Sequence, residues 1–190
     1  MRPATMTTQA LMKPTRSSTI TPRQAFAGVP LAAQAVVDSP IGPLTALATA
    51  RGLAGLWFGQ QTHHPGALDA PEDARHPHIV AITRWLDAYW AGSDPSPSDV
   101  TLDLHGTPFQ RAVWAVLLTI PFGRTRSYGE VAAQVGSGAA PRAVGSAVGR
   151  NPASILVPCH RVIGADGSLT GYAGGLARKE QLLQHEGVLL

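Results

Sequence analysis

Hydrophobic positions in this chain fall into separated runs with two different periods. Leu44 to Ala50 and Leu53 to Phe58 are short apolar stretches split by Arg51-Gly52, the pattern of a β-hairpin. A loop rich in Pro, Gly and His follows. Ile79, Ile82, Trp85, Leu86 and Tyr89 then recur at helical spacing, and Gly92 closes that pattern. Val100, Leu102 and Leu104 alternate as in a strand. From about residue 105 the text turns helical. Thr107-Pro108 reads as an N-cap with proline at the first helical position, and Phe109, Val113, Trp114 and Leu117 share one face behind it. Pro121-Phe122-Gly123 stops that helix. Ser127-Tyr128-Gly129-Glu130 has capping-box spacing and opens a second helix through Val131 and Ala132. Gly136-Ser137-Gly138 breaks it, and Pro141 opens a third helix, Arg142 to Arg150. Two short helices about a Gly-containing turn fit a helix-turn-helix or an ordinary helical hairpin. Leu176, Leu182 and Leu183 mark a last helix stopped by Gly187.

These patterns divide the chain into three. Residues 1–33 are rich in Thr, Ser, Pro and Ala without a period, and read as a disordered basic tail. Their acid-free composition fits a transit peptide, a floppy extension or a misassigned start, and they lack the apolar core of a secretory signal. Residues 34–103 read as a small α/β support domain with no catalytic constellation. Residues 104–190 form the helical part. The 190 residues are 44% apolar and 14% charged, which is globular rather than disordered. No run approaches the ~18 apolar residues of a membrane span, so no membrane partner is expected. No apolar heptad appears either, so the chain is expected to be a monomer.

Charge adds to this picture. Residues 1–34 carry a net +4, residues 35–100 a net −4 and residues 101–190 a net +3. A basic C-terminal part suits a polyanionic partner. Cys159 is the only cysteine, so the chain can form no internal disulfide and no cysteine zinc cluster; a free thiol fits the reducing cytoplasm. His63, His64, His76 and His78 lie in the Pro/Gly/Asp-rich stretch, where a solvated loop is preferred to a metal patch. Neither a metal nor a cofactor is expected.

The candidate chemistry sits at Pro158-Cys159-His160-Arg161-Val162. A lone cysteine is ordinarily a small inert hydrophobe. Here it lies in the longer frame Asn151-Pro152-Ala153-Ser154-Ile155-Leu156-Val157-Pro158-Cys159-His160-Arg161-Val162-Ile163-Gly164, which resembles the active-site segment of the O6-alkylguanine-DNA alkyltransferases in order and spacing. Phe109 to Trp114, Ile120 to Gly123, Ser127 to Ala132, Arg142 to Gly145 and Gly171 to Ala177 resemble that family too. The match spans about 105 to 187 and extends more loosely over Asp38 to Leu44.

The resemblance implies a fold and a reaction. The fold is α/β: a small ribonuclease H-like domain, then a mostly helical winged helix-turn-helix domain that carries the active site. The reaction moves an alkyl group from O6 of guanine in double-stranded DNA onto Cys159, irreversibly. O4-alkylthymine is a second substrate the resemblance admits, and the sequence does not rank the two. An unperturbed thiol has a pKa near ~8.5, so something must activate it. Adjacent residues on a strand point to opposite faces, so a direct Cys159–His160 bond is not guaranteed. The resemblance implies a relay from Cys159 through a water to His160 and on to the Glu186 carboxylate, an ordinary nucleophile–base–orienter order. Read without it, Glu186 is a solvated helix-end acid. Asn151 holds a turn by its side chain, and the resemblance adds the task of buttressing the Cys159 segment. Tyr128 is implied to donate a proton or hydrogen bond to the leaving guanine. Val162, with Tyr172 and Ala173, is implied to line the base pocket. Some relatives carry a hydroxyl where this chain has Ala173, which leaves substrate range open.

The target atom is buried in duplex, so the base must be flipped out. The resemblance implies that Arg142 takes its place in the stack. Behind it Ala143, Gly145 and Ser146 are small, which permits close approach to a minor groove or to a second helix; Arg150 is a candidate phosphate contact. An S-alkylcysteine has no easy leaving group and no second thiol is present, so one turnover per molecule is expected. Three other classes remain as rivals. Alkyltransferase-like damage sensors have lost the cysteine, which this chain keeps. A transcriptional regulator would carry base-reading side chains on the third helix. A Cys-His hydrolase would turn over repeatedly and need no DNA.

Overall fold

The computed structural model describes residues 22–136 and 138–189. The first sheet is an antiparallel meander of β1 (Ala33–Val37), β2 (Leu44–Thr49) and β3 (Gly52–Phe58). The hairpin read from the apolar runs is β2–β3, closed at the Thr49↔Gly52 pair. β3 is buried along its whole length. Leu53, Leu56 and Phe58 enter the main core, whereas Ala54 and Trp57 join Phe26 and Leu47 in a smaller cluster. Gly55 makes room for this: a Cβ there would lie 1.7 Å from the Trp57 ring. Helix α2 (Pro77–Trp90) covers the sheet with Ile79, Ile82, Trp85, Leu86 and Tyr89, the residues its period singled out. Burying each of these is worth about 1.5–3 kcal/mol.

Two expectations shift here. Helix α1 (Pro22–Ala25) and the residues after it belong to the folded body, not to a tail reaching residue 33. Phe26 packs edge-on against Trp57 at 5.9 Å and lies 5.6 Å from the His105 ring. Ala25 and Leu31 pack on the same cluster, and Ala32 N–H bonds Ala48 O at 2.9 Å, so a segment whose composition looks disordered is docked. The rest of that tail, residues 1–21, lies outside the described residues. The alternating Val100–Leu104 segment contributes only a single bridge, Leu53↔Leu102, beside a 3-10 turn at Pro97–Asp99.

The helical part follows the sequence punctuation. Helix α3 (Pro108–Leu117) starts with a complete Thr107/Gln110 capping box. Strand β4 (Arg126–Ser127) leads into α4 (Tyr128–Val135), which has a Ser127/Glu130 capping box and ends at Gly136 with φ 126°. Pro141 opens α5 (Pro141–Gly149). These three helices pack on one another, and α4 and α5 form the helix-turn-helix. Trp114 on α3 locks α5 by donating its indole N–H to the Ala147 carbonyl at 2.9 Å. Strand β5 (Val162–Ile163) pairs in parallel with β4, and α6 (Leu176–His185) closes the chain.

The two parts share one core. The free edge of β3 bonds the segment before Cys159: Leu56 N–H donates to Pro152 O, and Ser154 N–H to Leu56 O, both at 2.8 Å. Gln61 Oε1 accepts from both Phe58 N–H and Ser154 Oγ at 2.9 Å. Arg178 on α6 lies over the Phe58 ring at 4.6 Å and donates to Ile41 O. Among the described residues no helix is long and apolar enough to cross a membrane.

Candidate active site

The segment from Asn151 to Val162 is buried throughout. It carries Ile155 at φ 70°, a left-handed conformation that a β-branched residue rarely adopts. The hydrogen bonds from β3 and the buried Ile155 side chain hold that turn. Cys159–Arg161 is a 3-10 turn rather than part of a strand, and the strand expected at the cysteine begins only at Val162. Proline at 158 cannot donate to a ladder, which favours the turn.

Asn151 ties this turn together. Its Nδ2 donates to Val157 O at 2.7 Å and to Cys159 Sγ at 2.9 Å, and its Oδ1 accepts from Ala153 N–H at 2.9 Å. Burial pushes the Cys159 thiol up to about 11, with the Asn151 hydrogen bond and the Lys179 charge opposing that rise. The resting sulfur is a thiol.

His160 is fully buried, with Nε2 2.7 Å from Glu186 Oε1. Glu186 caps the end of α6. Burial alone would raise its pKa, but hydrogen bonds and charge from His160 and Arg161 outweigh that and hold it at about 2. An ionised carboxylate only accepts, so the imidazole proton sits on Nε2 and leaves Nδ1 as an acceptor. Among the described residues Nδ1 has no hydrogen-bond partner. Burial lowers the His160 pKa against the opposing pull of Glu186, so the ring rests neutral.

Several groups around this pair escaped the sequence reading. Arg161 donates Nε to Glu186 Oε2 and Nη2 to Oε1, each at 2.9 Å, and Nη1 to Ile120 O at 2.6 Å. Tyr89 of α2 also donates to Glu186 Oε1, at 2.9 Å. Lys179, fully buried on α6, donates to Val162 O at 2.5 Å and Thr170 O at 2.7 Å. Burial lowers its pKa to about 8. Lys179 thereby fastens the strand after the cysteine to the loop that walls the pocket. A lysine inside an amphipathic helix carries no sequence signal for this.

A cavity of about 250 Å³ opens beside the turn, lined by Thr62, His63, Tyr128, Gly145, Gly149 and the Gly171–Ala173 loop. Tyr128, at the start of α4, reaches it because the β4–β5 pair aligns Arg126 with Val162. Its hydroxyl donates to Thr170 O at 3.3 Å and Gly171 O at 3.2 Å. Burial raises the Tyr128 and Tyr172 phenols, and the sulfur of Cys159 lies close enough to add to both shifts. Val162, expected to line the base pocket, is buried and, like Cys159 and His160, does not line this cavity. A Cβ added at Gly145 would already meet the Tyr128 ring at 3.8 Å, so a larger side chain there would crowd the cavity. Thr62 and His63 come from the N-terminal domain, whose loop is held by Thr62 N–H to Ala173 O at 2.8 Å.

Arg142, Ala143 and Ser146 form an exposed face of α5 above the cavity, while Val144, Ala147 and Val148 face inward. Arg150 turns back onto Ser146 O at 3.1 Å. The loop histidines have local tasks: His64 Nδ1 accepts from Gly66 N–H, and His76 caps α2. Among the described residues no three His, Cys, Asp or Glu side chains gather as a metal site.

Comparison with known proteins places this arrangement. Residues 33–104 match the ribonuclease-like domain of 6-O-methylguanine DNA methyltransferase, and residues 108–188 match its DNA binding domain. A methylated-DNA–protein-cysteine methyltransferase of Mycobacterium tuberculosis is 51% identical over 150 residues, which is 79% of this chain and 89% of the relative. One from Methanosarcina acetivorans is 45% identical over 155 residues, 80% of this chain and 97% of the relative. The crystal structure of Mycobacterium tuberculosis OGT in complex with DNA is similar with a TM-score of 0.75 at 49% identity, covering 82% of this chain and 93% of that one. On these matches, and with a buried Cys-His-Glu set beside a helix-turn-helix, the chain belongs to the 6-O-methylguanine DNA methyltransferase family.

Proposed function

We propose that this protein repairs DNA by moving an alkyl group from O6 of guanine onto the Cys159 sulfur, once per molecule, in the cytoplasm. The observation that carries this reading is the Asn151–Cys159 and His160–Glu186 arrangement beside a cavity roofed by α5. Duplex DNA containing the lesion docks on the exposed Arg142, Ala143 and Ser146 face. Arg142 fills the gap in the stack, and Arg150 contacts phosphate. The flipped base enters between Tyr128 and the 171–173 loop.

His160 Nδ1 takes the thiol proton through a water, and the nascent imidazolium is held by ionised Glu186. The sulfur attacks the alkyl carbon, the S–C bond forms and the C–O6 bond breaks. Tyr128 stays protonated because burial raises its pKa, so its O–H can turn from the loop carbonyls to the departing guanine anion. The thioether product has no route back to the thiol within this chain. Because Ala173 offers no hydroxyl, contacts to the base from that wall come from backbone.

The test is intact mass after incubation with excess duplex holding O6-methylguanine, for the wild type and Cys159→Ala. One methyl group on the wild type alone, stopping at one equivalent, is the expected result. Repeated turnover, or an unmodified wild type that binds the lesion, overturns the reading.

A further inference from the structure

We infer that Tyr89, on α2 of the N-terminal domain, is a positioning residue for the His160–Glu186 pair and acts through their shared carboxylate. This rests on the alkyl-transfer reading above and brings the N-terminal domain into the proton relay.

Tyr89 and Glu186 are 97 residues apart in sequence, yet the phenol donates to Oε1 at 2.9 Å with both side chains buried. Oε1 is also the oxygen that holds His160, at 2.7 Å. The tyrosine cannot drift from it. His185, beside Glu186, bonds the Tyr89 carbonyl at 2.8 Å. The Tyr89 ring stacks on Trp85 at 5.5 Å and meets Phe122 and His185 edge-on or tilted at 5.8 and 5.0 Å. A phenylalanine would fill this space equally well. Burying a hydroxyl is unfavourable unless it is bonded, and this one is bonded to the oxygen that orients the base.

Donors on one carboxylate oxygen share its negative charge. Arg161 and Tyr89 therefore weaken the hold of Oε1 on the His160 proton and disfavour the imidazolium. Lys179 on α6 acts in the same sense through its charge. The other titratable groups around the pair are Cys159 on the same turn, His185 against Tyr89, and Tyr172, whose ring meets His160 edge-on at 6.5 Å. Tyr89 itself stays protonated, because burial and the Glu186 charge push its phenol far up. Without the phenol, Oε1 keeps more charge for His160, and the ring takes a proton from solvent at higher pH. A ring already protonated cannot accept the thiol proton, so the acid limb of the rate profile moves up.

The experiment measures single-turnover methyl transfer from O6-methylguanine duplex between about pH 5 and 9. It compares the wild type, Tyr89→Phe, and Ile82→Val, a core change on the same helix without a polar atom. Tyr89→Phe is expected to raise the acid-limb midpoint by about half to one pH unit, lowering the rate on the limb below both midpoints about three- to tenfold, with the rate at pH 8.5 within about twofold. Ile82→Val is expected to lower Tm and leave the midpoint in place. A wild-type midpoint in Tyr89→Phe, whatever its Tm, overturns the inference. Absence of transfer by the wild type removes the alkyl-transfer reading instead.

Discussion

The residues proposed to react are poised by burial against their own ionisation. Cys159 and His160 both rest neutral because the core disfavours charge, whereas Glu186 stays charged because His160, Arg161 and Tyr89 surround it. This has a consequence for folding. The unfolded chain protonates His160 below about pH 6.5 and the folded chain resists, so stability falls as pH drops through that value. Glu186 adds a second loss between pH 4.5 and about 2, where the unfolded carboxyl binds a proton and the folded one does not. His63 and His64 are also lowered by burial and act in the same window as His160. Melting curves at pH 7, 6 and 5 for the wild type and His160→Gln separate the contributions. The variant is less stable at pH 7, and the gap in Tm narrows as pH falls. A constant gap contradicts the buried neutral ring. Cys159, His160, Glu186 and Asn151 were legible through their sequence frame. Arg161, Lys179 and Tyr89 were not, because their bonds reach residues 9 to 97 positions away that local pattern does not encode.

At the scale of elements, glycines set the shape of the pocket and the sheet. A Cβ on Gly174 would lie 2.6 Å from the Tyr172 ring and 3.2 Å from Phe58, which is itself fixed under Arg178. Gly174→Ala is therefore expected to push Tyr172 toward the cavity and slow transfer more than tenfold, at a stability cost of about 1–3 kcal/mol. Gly55→Ala meets the Trp57 ring at 1.7 Å on the far side of β3, and is expected to lower Tm while transfer by the folded fraction persists. Single-turnover rates beside melting curves distinguish the two; equal loss of rate in both would show that the pocket wall is not the sensitive element. For α5, Arg142→Ala is expected to weaken transfer from duplex about tenfold or more and leave attack on free O6-alkylguanine base unchanged. Equal losses on both substrates remove the role in the stack. The helices were readable because their caps are local: Thr107/Gln110 and Ser127/Glu130 close as spaced. β1 and α1 were missed: β1 is a short run of alternating burial beside the hairpin, and α1 is a four-residue helix docked through Phe26 and its neighbours on the Trp57 cluster.

For the whole molecule, the two domains read from the sequence, which match residues 33–104 and 108–188, share one packed core. One buried cluster runs from Ala33 and Leu44 in the sheet through Tyr89 and Trp114 to Val144, Cys159 and Leu182. The β3 edge, Gln61 and Arg178 add polar ties across the same boundary. Strained Ile155 and the 3-10 turn at Cys159 sit directly on this seam, so the geometry of the thiol depends on both parts being folded together. The expected behaviour is a single cooperative transition. Calorimetric and van't Hoff enthalpies should agree, and tryptophan fluorescence and the exposure of Cys159 to a thiol reagent should share one midpoint. Trp57 and Trp85 report the N-terminal part and Trp114 the C-terminal part, so one signal samples both. Two separated transitions, with the thiol exposed in the first, would mean that the reacting domain loosens while the sheet persists. A shared midpoint means that the N-terminal sheet holds the nucleophile in place up to the temperature at which the entire chain unfolds.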